Sequence, residues 1–221
     1  DIDIVRETSA EINKHTAIFF DLQGPKIRIG RFEKDGVILE TGQAFKIKSD
    51  HDVVGTSEYC GLTTPEIIQD LNEGEPVFID DGNVRLFIES ISNGTLNCRV
   101  TQGGKVSNHK GINLPLSNIS VSAITEKDKE DVQTAIEYGV DYIALSFVSK
   151  ADDVNELRQM IEASSAPHIG IISKIERRSA VENLIDIAEV SDIVMVARGD
   201  LGVEVGLEKV PEIQKRTIRE C

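Results

Sequence analysis

Two textures of apolar and polar positions divide the chain. From about Ile27 to Val100, short runs rich in β-branched residues are punctuated by Asp35-Gly36, Asp81-Gly82 and Asn93-Gly94, with Gly103-Gly104 just beyond. Such pairs supply the positive φ that tight hairpins need, and Ile91-Ser-Asn-Gly-Thr-Leu is the clearest hairpin. Thr64-Pro65-Glu66, followed by Ile67, Ile68 and Leu71, predicts one short helix with Thr64 as its cap and Pro65 in its first turn. This stretch reads as a small β-barrel or sandwich of roughly 95 residues, a size that folds by itself. Gly103 to Pro115 reads as a loop.

From Thr125 the period turns helical. Thr125-Glu-Lys-Asp128 has the form of a capping box, and Val132, Ala135 and Ile136 give an apolar face that ends at Gly139. Tyr142–Phe147 predicts a strand. Ser149 with Asp152 starts a helix whose Val154, Leu157 and Ile161 are spaced i, i+3 and i+7. A second apolar run, Ile169–Ile175, predicts a strand buried on both faces. It is followed by a helix with Val181, Leu184, Ile185 and Ala188 on one side, then by a strand at Ile193–Ala197. A last helix includes Ile213 and Ile218. Strands alternating with helices at this spacing predict a parallel sheet, as in an α/β barrel or a doubly wound fold. Residues 1–16 resemble the end of a helix, and Ala17-Ile-Phe-Phe-Asp21 adds a fourth strand. The fold expected is α/β, a partial (β/α)8 TIM barrel of about four strands with an inserted all-β lid. Its expected boundaries are 1–24 (barrel), 25–121 (lid) and 122–221 (barrel).

Charge narrows the partners. The formal net charge of −14 argues against non-specific nucleic-acid binding, which needs excess Lys and Arg to displace counterions. No apolar run approaches the roughly 20 residues of a membrane helix. Cys60, Cys98 and Cys221 have no metal-like spacing, and reduced thiols in a cytoplasmic protein are the simplest reading. The chain opens without Met and stops in mid-pattern, so a fragment is expected.

Candidate chemistry gathers at the ends of the last two strands. Lys174 and Glu176 are two residues apart, so in an extended chain they stand on one side. Asp200 follows the next run. Two such carboxylates within about 4 Å would repel by about 4 kcal/mol at an effective dielectric of 20, and a divalent cation relieves that. Ordinary solvated carboxylates are the bland alternative. Lys174, inside an apolar run, must pair or reach solvent. It reads equally as a salt bridge or as a fixed cation facing a phosphoryl group or an enolate. Arg198-Gly-Asp-Leu-Gly202 places two glycines where a strand turns into a loop, whose backbone N–H groups could hold a carboxylate. Lys26, Arg28 and Lys110 are candidate rim cations, and Asp81 is a turn former.

Taken together, several strings resemble the pyruvate kinase family: Asp21-Leu-Gln-Gly-Pro-Lys-Ile-Arg28, Ile79-Asp-Asp-Gly82, Lys110-Gly-Ile-Asn-Leu-Pro115, Leu145-Ser-Phe147, Ile172-Ser-Lys-Ile-Glu-Arg177 and Met195-Val-Ala-Arg-Gly-Asp-Leu-Gly-Val-Glu204. The resemblance implies glycolytic phosphoryl transfer from phosphoenolpyruvate to ADP, giving pyruvate and ATP. It implies Mg²⁺ or Mn²⁺ held by Glu176 and Asp200, with Lys174 stabilising the moving phosphoryl and the enolate oxygen. Gly199 and Asp200, with Ser146 and Phe147, fall where substrate is bound. Arg28, Asp81 and Lys110 fall where the nucleotide or phosphoryl is met, and Arg28 joins Lys174 as a catalytic candidate. Potassium-dependent members have Thr and Glu where this chain has Leu22 and Lys26. The ammonium of Lys26, with Asp21, is therefore expected to stand in for K⁺. A homotetramer is implied for the full-length enzyme. The family's upstream Arg-x-Asn-x-Ser-His segment and its downstream Thr strand lie outside the sequence, so residues 1–221 alone are expected to turn over weakly or not at all. The alternatives are a metal-dependent barrel lyase acting on pyruvate or phosphoenolpyruvate, which would need no lid, and an inactive Mg²⁺- or nucleotide-binding piece.

Overall fold

The computed structural model describes residues 2–164 and 166–221. In chain order, α1 (Ile2–Glu11) and β1 (Phe19–Asp21) lead into a run of short strands. These are β2 (Gly36–Leu39), β3 (Ala44–Lys48), β4 (Tyr59–Gly61), β5 (Pro76–Ile79), β6 (Val84–Ser92), β7 (Thr95–Gln102), β8 (Gly104–Ser107) and β9 (Ile112–Asn113). Then follow α2 (Glu126–Glu137), β10 (Tyr142–Leu145), α3 (Ala151–Ala163), β11 (Gly170–Ile175), α4 (Arg178–Glu182), α5 (Leu184–Glu189), β12 (Ile193–Val196), α6 (Arg198–Val205) and α7 (Val210–Glu220). The chain divides into two compact units. One holds residues 1–25, 122–198 and 209–221; the other holds 26–121 and 199–208.

The first unit is built on a parallel sheet of order β1-β10-β11-β12. Its core joins Ile143 and Leu145 of β10 and Ile171 and Ile175 of β11 to the apolar faces of α2, α3 and α5. The capping box at α2 forms as its sequence predicts: Thr125 Oγ accepts from the Asp128 N–H, and the Asp128 carboxylate accepts from the Thr125 N–H. At α3 the capping carboxylate is Asp153, not Asp152, because Asp153 reaches the N–H groups of both Ser149 and Lys150. The single helix expected over Val181–Ala188 is interrupted at Asn183, whose side-chain amide donates to the Ser149 carbonyl. That break shifts the buried face to Ala180, Leu184 and Ile187 and leaves Ile185 exposed. The central strands are buried as expected, but β1 and β12 flank the sheet, where Phe19, Asp21 and Ile193 are exposed and the remaining positions are half-buried. In α7, Val210 and Thr217 face inward, while Ile218 is exposed.

The second unit has a six-stranded sheet of order β4-β3-β7-β6-β5-β9 and a two-stranded β2-β8 pair. Alternation along β6 and β7 sends Val84, Leu86, Ile88, Leu96, Cys98 and Val100 into one core. The Asn93-Gly94 hairpin is a two-residue turn with φ of 49° and 67°, closing Ser92 on Thr95. Asp80, Asp81 and Gly82 likewise take positive φ between β5 and β6. Gly36 begins β2 rather than closing a hairpin, and neither Gly103 nor Gly104 needs positive φ. Pro65–Asp70 is a 3₁₀ helix, and Thr64 makes no side-chain bond to cap it.

Candidate active site

In the first unit, parallel register brings Asp21, Ser146, Lys174 and Glu176 together. Asp21 lies opposite Ala144, and Leu145 opposite Ser173, so Ser146 and Lys174 occupy corresponding positions at neighbouring strand ends. Lys174 Nζ lies 3.0 Å from Glu176 Oε1, 2.8 Å from Ser146 Oγ, and 3.1 and 3.2 Å from the two oxygens of Asp21. The same-side placement expected of Lys174 and Glu176 is therefore realised. Asp21 is a partner of Lys174 that spacing alone did not single out.

Burial grades these groups. The Lys174 side chain is 14% exposed and that of Glu176 is 3% exposed, whereas Asp21 keeps half of its surface in water. Burial is the largest influence on Lys174 and pulls its pKa down. Glu176, by charge and hydrogen bond, and then Asp21 outweigh it, so the net direction is up. The ammonium is a permanent cation at neutral pH. A buried charge of this kind is tolerated because it is paired and hydrogen-bonded.

Glu176 is held from a second side. Its Oε2 accepts from the Phe147 backbone N–H at 2.8 Å. Phe147 takes φ of 57°, left-handed backbone that a bulky residue rarely adopts. The Arg177 guanidinium lies over its ring, 5.1 Å from the centroid.

The other predicted residues lie in the second unit. Arg28 donates to the His109 carbonyl at 2.7 Å, and the backbone bridges Arg28 to Gly111. Lys110 pairs at 2.8 Å with Asp80, whose carboxyl this lysine holds below its usual range. Asp81 is the exposed turn residue beside it. Two adjacent Asp residues gave the sequence no means of choosing between them. Lys26 is exposed. Gly199 and Asp200 are not in a loop: they occupy the first turn of α6, where backbone N–H groups lack intrahelical partners. Asp200 is exposed there. The correction is local. A strand end followed by a helix start replaces the glycine-rich turn, and its N–H groups still suit an anion.

Against known proteins, the sequence profile of the pyruvate kinase barrel domain matches residues 1–221. The chain belongs to the pyruvate kinase family. The pyruvate kinase of Corynebacterium efficiens is 44% identical over 215 residues, covering 97% of this chain and 45% of that protein. The pyruvate kinase of Staphylococcus saprophyticus is 43% identical over 223 residues, covering all of this chain and 38% of its own length. A crystal structure of a pyruvate kinase from Cryptosporidium parvum superposes with a TM-score of 0.94 at 34% identity, over 100% of this chain and 46% of that one. The chain thus spans about half the length of the pyruvate kinases it matches, and its sheet is a partial (β/α)8 barrel.

Proposed function

We propose that this chain forms the catalytic core of an enzyme that transfers the phosphoryl group of phosphoenolpyruvate to ADP, giving pyruvate and ATP. The observation that carries the reading is the Lys174 ammonium, largely buried and held by Glu176, Asp21 and Ser146 at the strand ends. Phosphoryl transfer asks a protein mainly for positioning and charge stabilisation, and a fixed cation at such an end supplies both. Family membership supports the substrate class.

Glu176 and Asp200 are the proposed ligands of Mg²⁺ or Mn²⁺. Hard carboxylate oxygens suit these cations, and Glu176 is an anion already fixed by two donors. When bound, the cation would neutralise phosphoryl and enolate oxygens. The chain's own residues do the rest. Lys174 offers its charge to the moving phosphoryl and the developing enolate. Ser146, Phe147 and the backbone of Gly199 and Asp200 orient the substrate carboxylate. Arg28, Lys110 and Asp81 meet the nucleotide, and Arg28 adds a second cation to the transition state. We assign residues 25–121 as the lid domain, a cytoplasmic location, and a homotetramer for the full-length enzyme.

A coupled assay of the full-length enzyme tests this. Pyruvate should form only with ADP present, and Lys174→Met should lower kcat by about 10²- to 10³-fold, the scale of losing one preorganised electrostatic contact. Pyruvate release without ADP would indicate a lyase instead. Lys26, with Asp21, takes the place of K⁺ in this reading, since Leu22 offers no hydroxyl ligand. Replacing K⁺ by Na⁺ should leave the rate unchanged; several-fold activation by K⁺ refutes this assignment.

A further inference from the structure

Within the first unit, one buried carboxylate lies outside the proposed chemistry yet connects to it. Asp128 is fully buried, and besides closing the capping box of α2 it accepts the backbone N–H of Gly24 at 3.1 Å. The two residues are 104 positions apart in sequence. Gly24 itself has φ of 65°, and a Cβ there would lie 2.7 Å from Cδ2 of the Phe147 ring and 3.4 Å from Cβ and the carbonyl oxygen of Ser146. No side chain fits at this place. The ring of Phe147 therefore rests on bare backbone whose position is fixed by Asp128. On its far side in the sequence, Phe147 is held in the left-handed region and turns its N–H onto Glu176.

We propose that Asp128 and Gly24 are positioning residues for the metal-binding carboxylate: Asp128 fixes Gly24, Gly24 seats the ring of Phe147, and the Phe147 backbone aims Glu176. This rests on the reading of Glu176 as a cation ligand. The physical case is that positive φ at a residue with a large side chain is unfavourable and persists only where the surroundings over-determine it. Two supports are visible, the Gly24 backbone close to Cδ2 of the ring and the Arg177 guanidinium over the ring. Removing the first lets Phe147 relax, and its N–H leaves Glu176. The sequence signal was present in part: Thr125–Asp128 read as a cap, with nothing to say that it touches Gly24.

The test uses the full-length enzyme and two readouts, amide hydrogen exchange at Phe147 and Mn²⁺ affinity by electron paramagnetic resonance. Gly24→Ala should speed exchange at Phe147 at least tenfold and raise the Mn²⁺ Kd at least fivefold, with helix content and oligomeric state unchanged. Asp128→Asn, which removes one acceptor at nearly constant volume, should move both in the same direction and carries the test if Gly24→Ala does not fold. Wild-type exchange at Phe147 in the folded variant overturns the proposal whatever the metal does. Glu176→Gln is the control on the underlying reading. If it binds Mn²⁺ as the wild type does, the ligand assignment fails, while the exchange data still decide whether Asp128 and Gly24 hold Phe147. If it loses Mn²⁺ and Gly24→Ala does not, positioning alone is refuted.

Discussion

Lys174 shows how a charge is kept inside a barrel wall. Three oxygen-bearing groups, Glu176, Asp21 and Ser146, surround its ammonium, and the buried carboxylate among them, Glu176, also accepts a backbone N–H. Removing the cation strands a buried anion, and breaking such a pair costs about 3–5 kcal/mol. Lys174→Met should therefore destabilise the folded chain by about 3 kcal/mol in denaturant unfolding at pH 7, and by less when combined with Glu176→Gln. The pH dependence has a definite sign. The folded-state pKa of Lys174 is raised, so the contribution is complete below the unfolded value near 10.4 and is lost as pH rises through the folded one. The difference between wild type and Lys174→Met should hold constant from pH 6 to 9 and shrink only in stronger alkali. The alternation of Lys174 and Glu176 was legible because a strand has period two. Asp21 was not, since it comes from 153 residues away and only the register of the sheet reveals it.

Among the elements, periodicity was legible wherever one face is buried. Val154, Leu157 and Ile161 of α3 are buried as their spacing predicts. It misled where a tertiary bond intervenes, as at Asn183, whose link to Ser149 divides one expected helix into α4 and α5. Edge position explains why β1 and β12 are only partly buried, which apolar content alone cannot distinguish from full burial. The turn at Asn93-Gly94 was read correctly because its residue pair demands its geometry. That gives a test for the β-rich unit. A Cβ at Gly94 would meet Ser49 Oγ at 2.8 Å, at φ of 67°, while the Gly94 carbonyl accepts from the Ser49 N–H. Gly94→Ala should cost about 1–2 kcal/mol in chemical denaturation, with no change in the residues around Lys174.

At the scale of the molecule, two apolar cores account for the two units. One is drawn from residues 27–121 and the other from residues 2–22 and 124–194. No residue is shared between the two cores. An excised segment of residues 26–121 should therefore fold alone, with dispersed amide resonances and one cooperative unfolding transition; a collapsed, undispersed spectrum would contradict this. Among the described residues no helix is long and apolar enough to cross a membrane. The segment 199–208, which carries Asp200, groups with the β-rich unit rather than with the sheet it follows, a division that strand–helix rhythm could not show.

The pairing of Phe19 with Tyr142 has a consequence for synthesis. At 5–20 residues per second, the ribosome needs about 6–25 s to supply the partner of a strand it has already made. During that interval the β-rich segment finds its strand partners within itself, most of them antiparallel, and it can finish before the parallel sheet of the first unit begins. Once Arg28 is bridged to Gly111, the open loop between the waiting strand and its mate falls to roughly 40 residues. Closing it is then about 1 kcal/mol less unfavourable than closing the full span. The insertion that interrupts the sheet in sequence shortens the search that completes it.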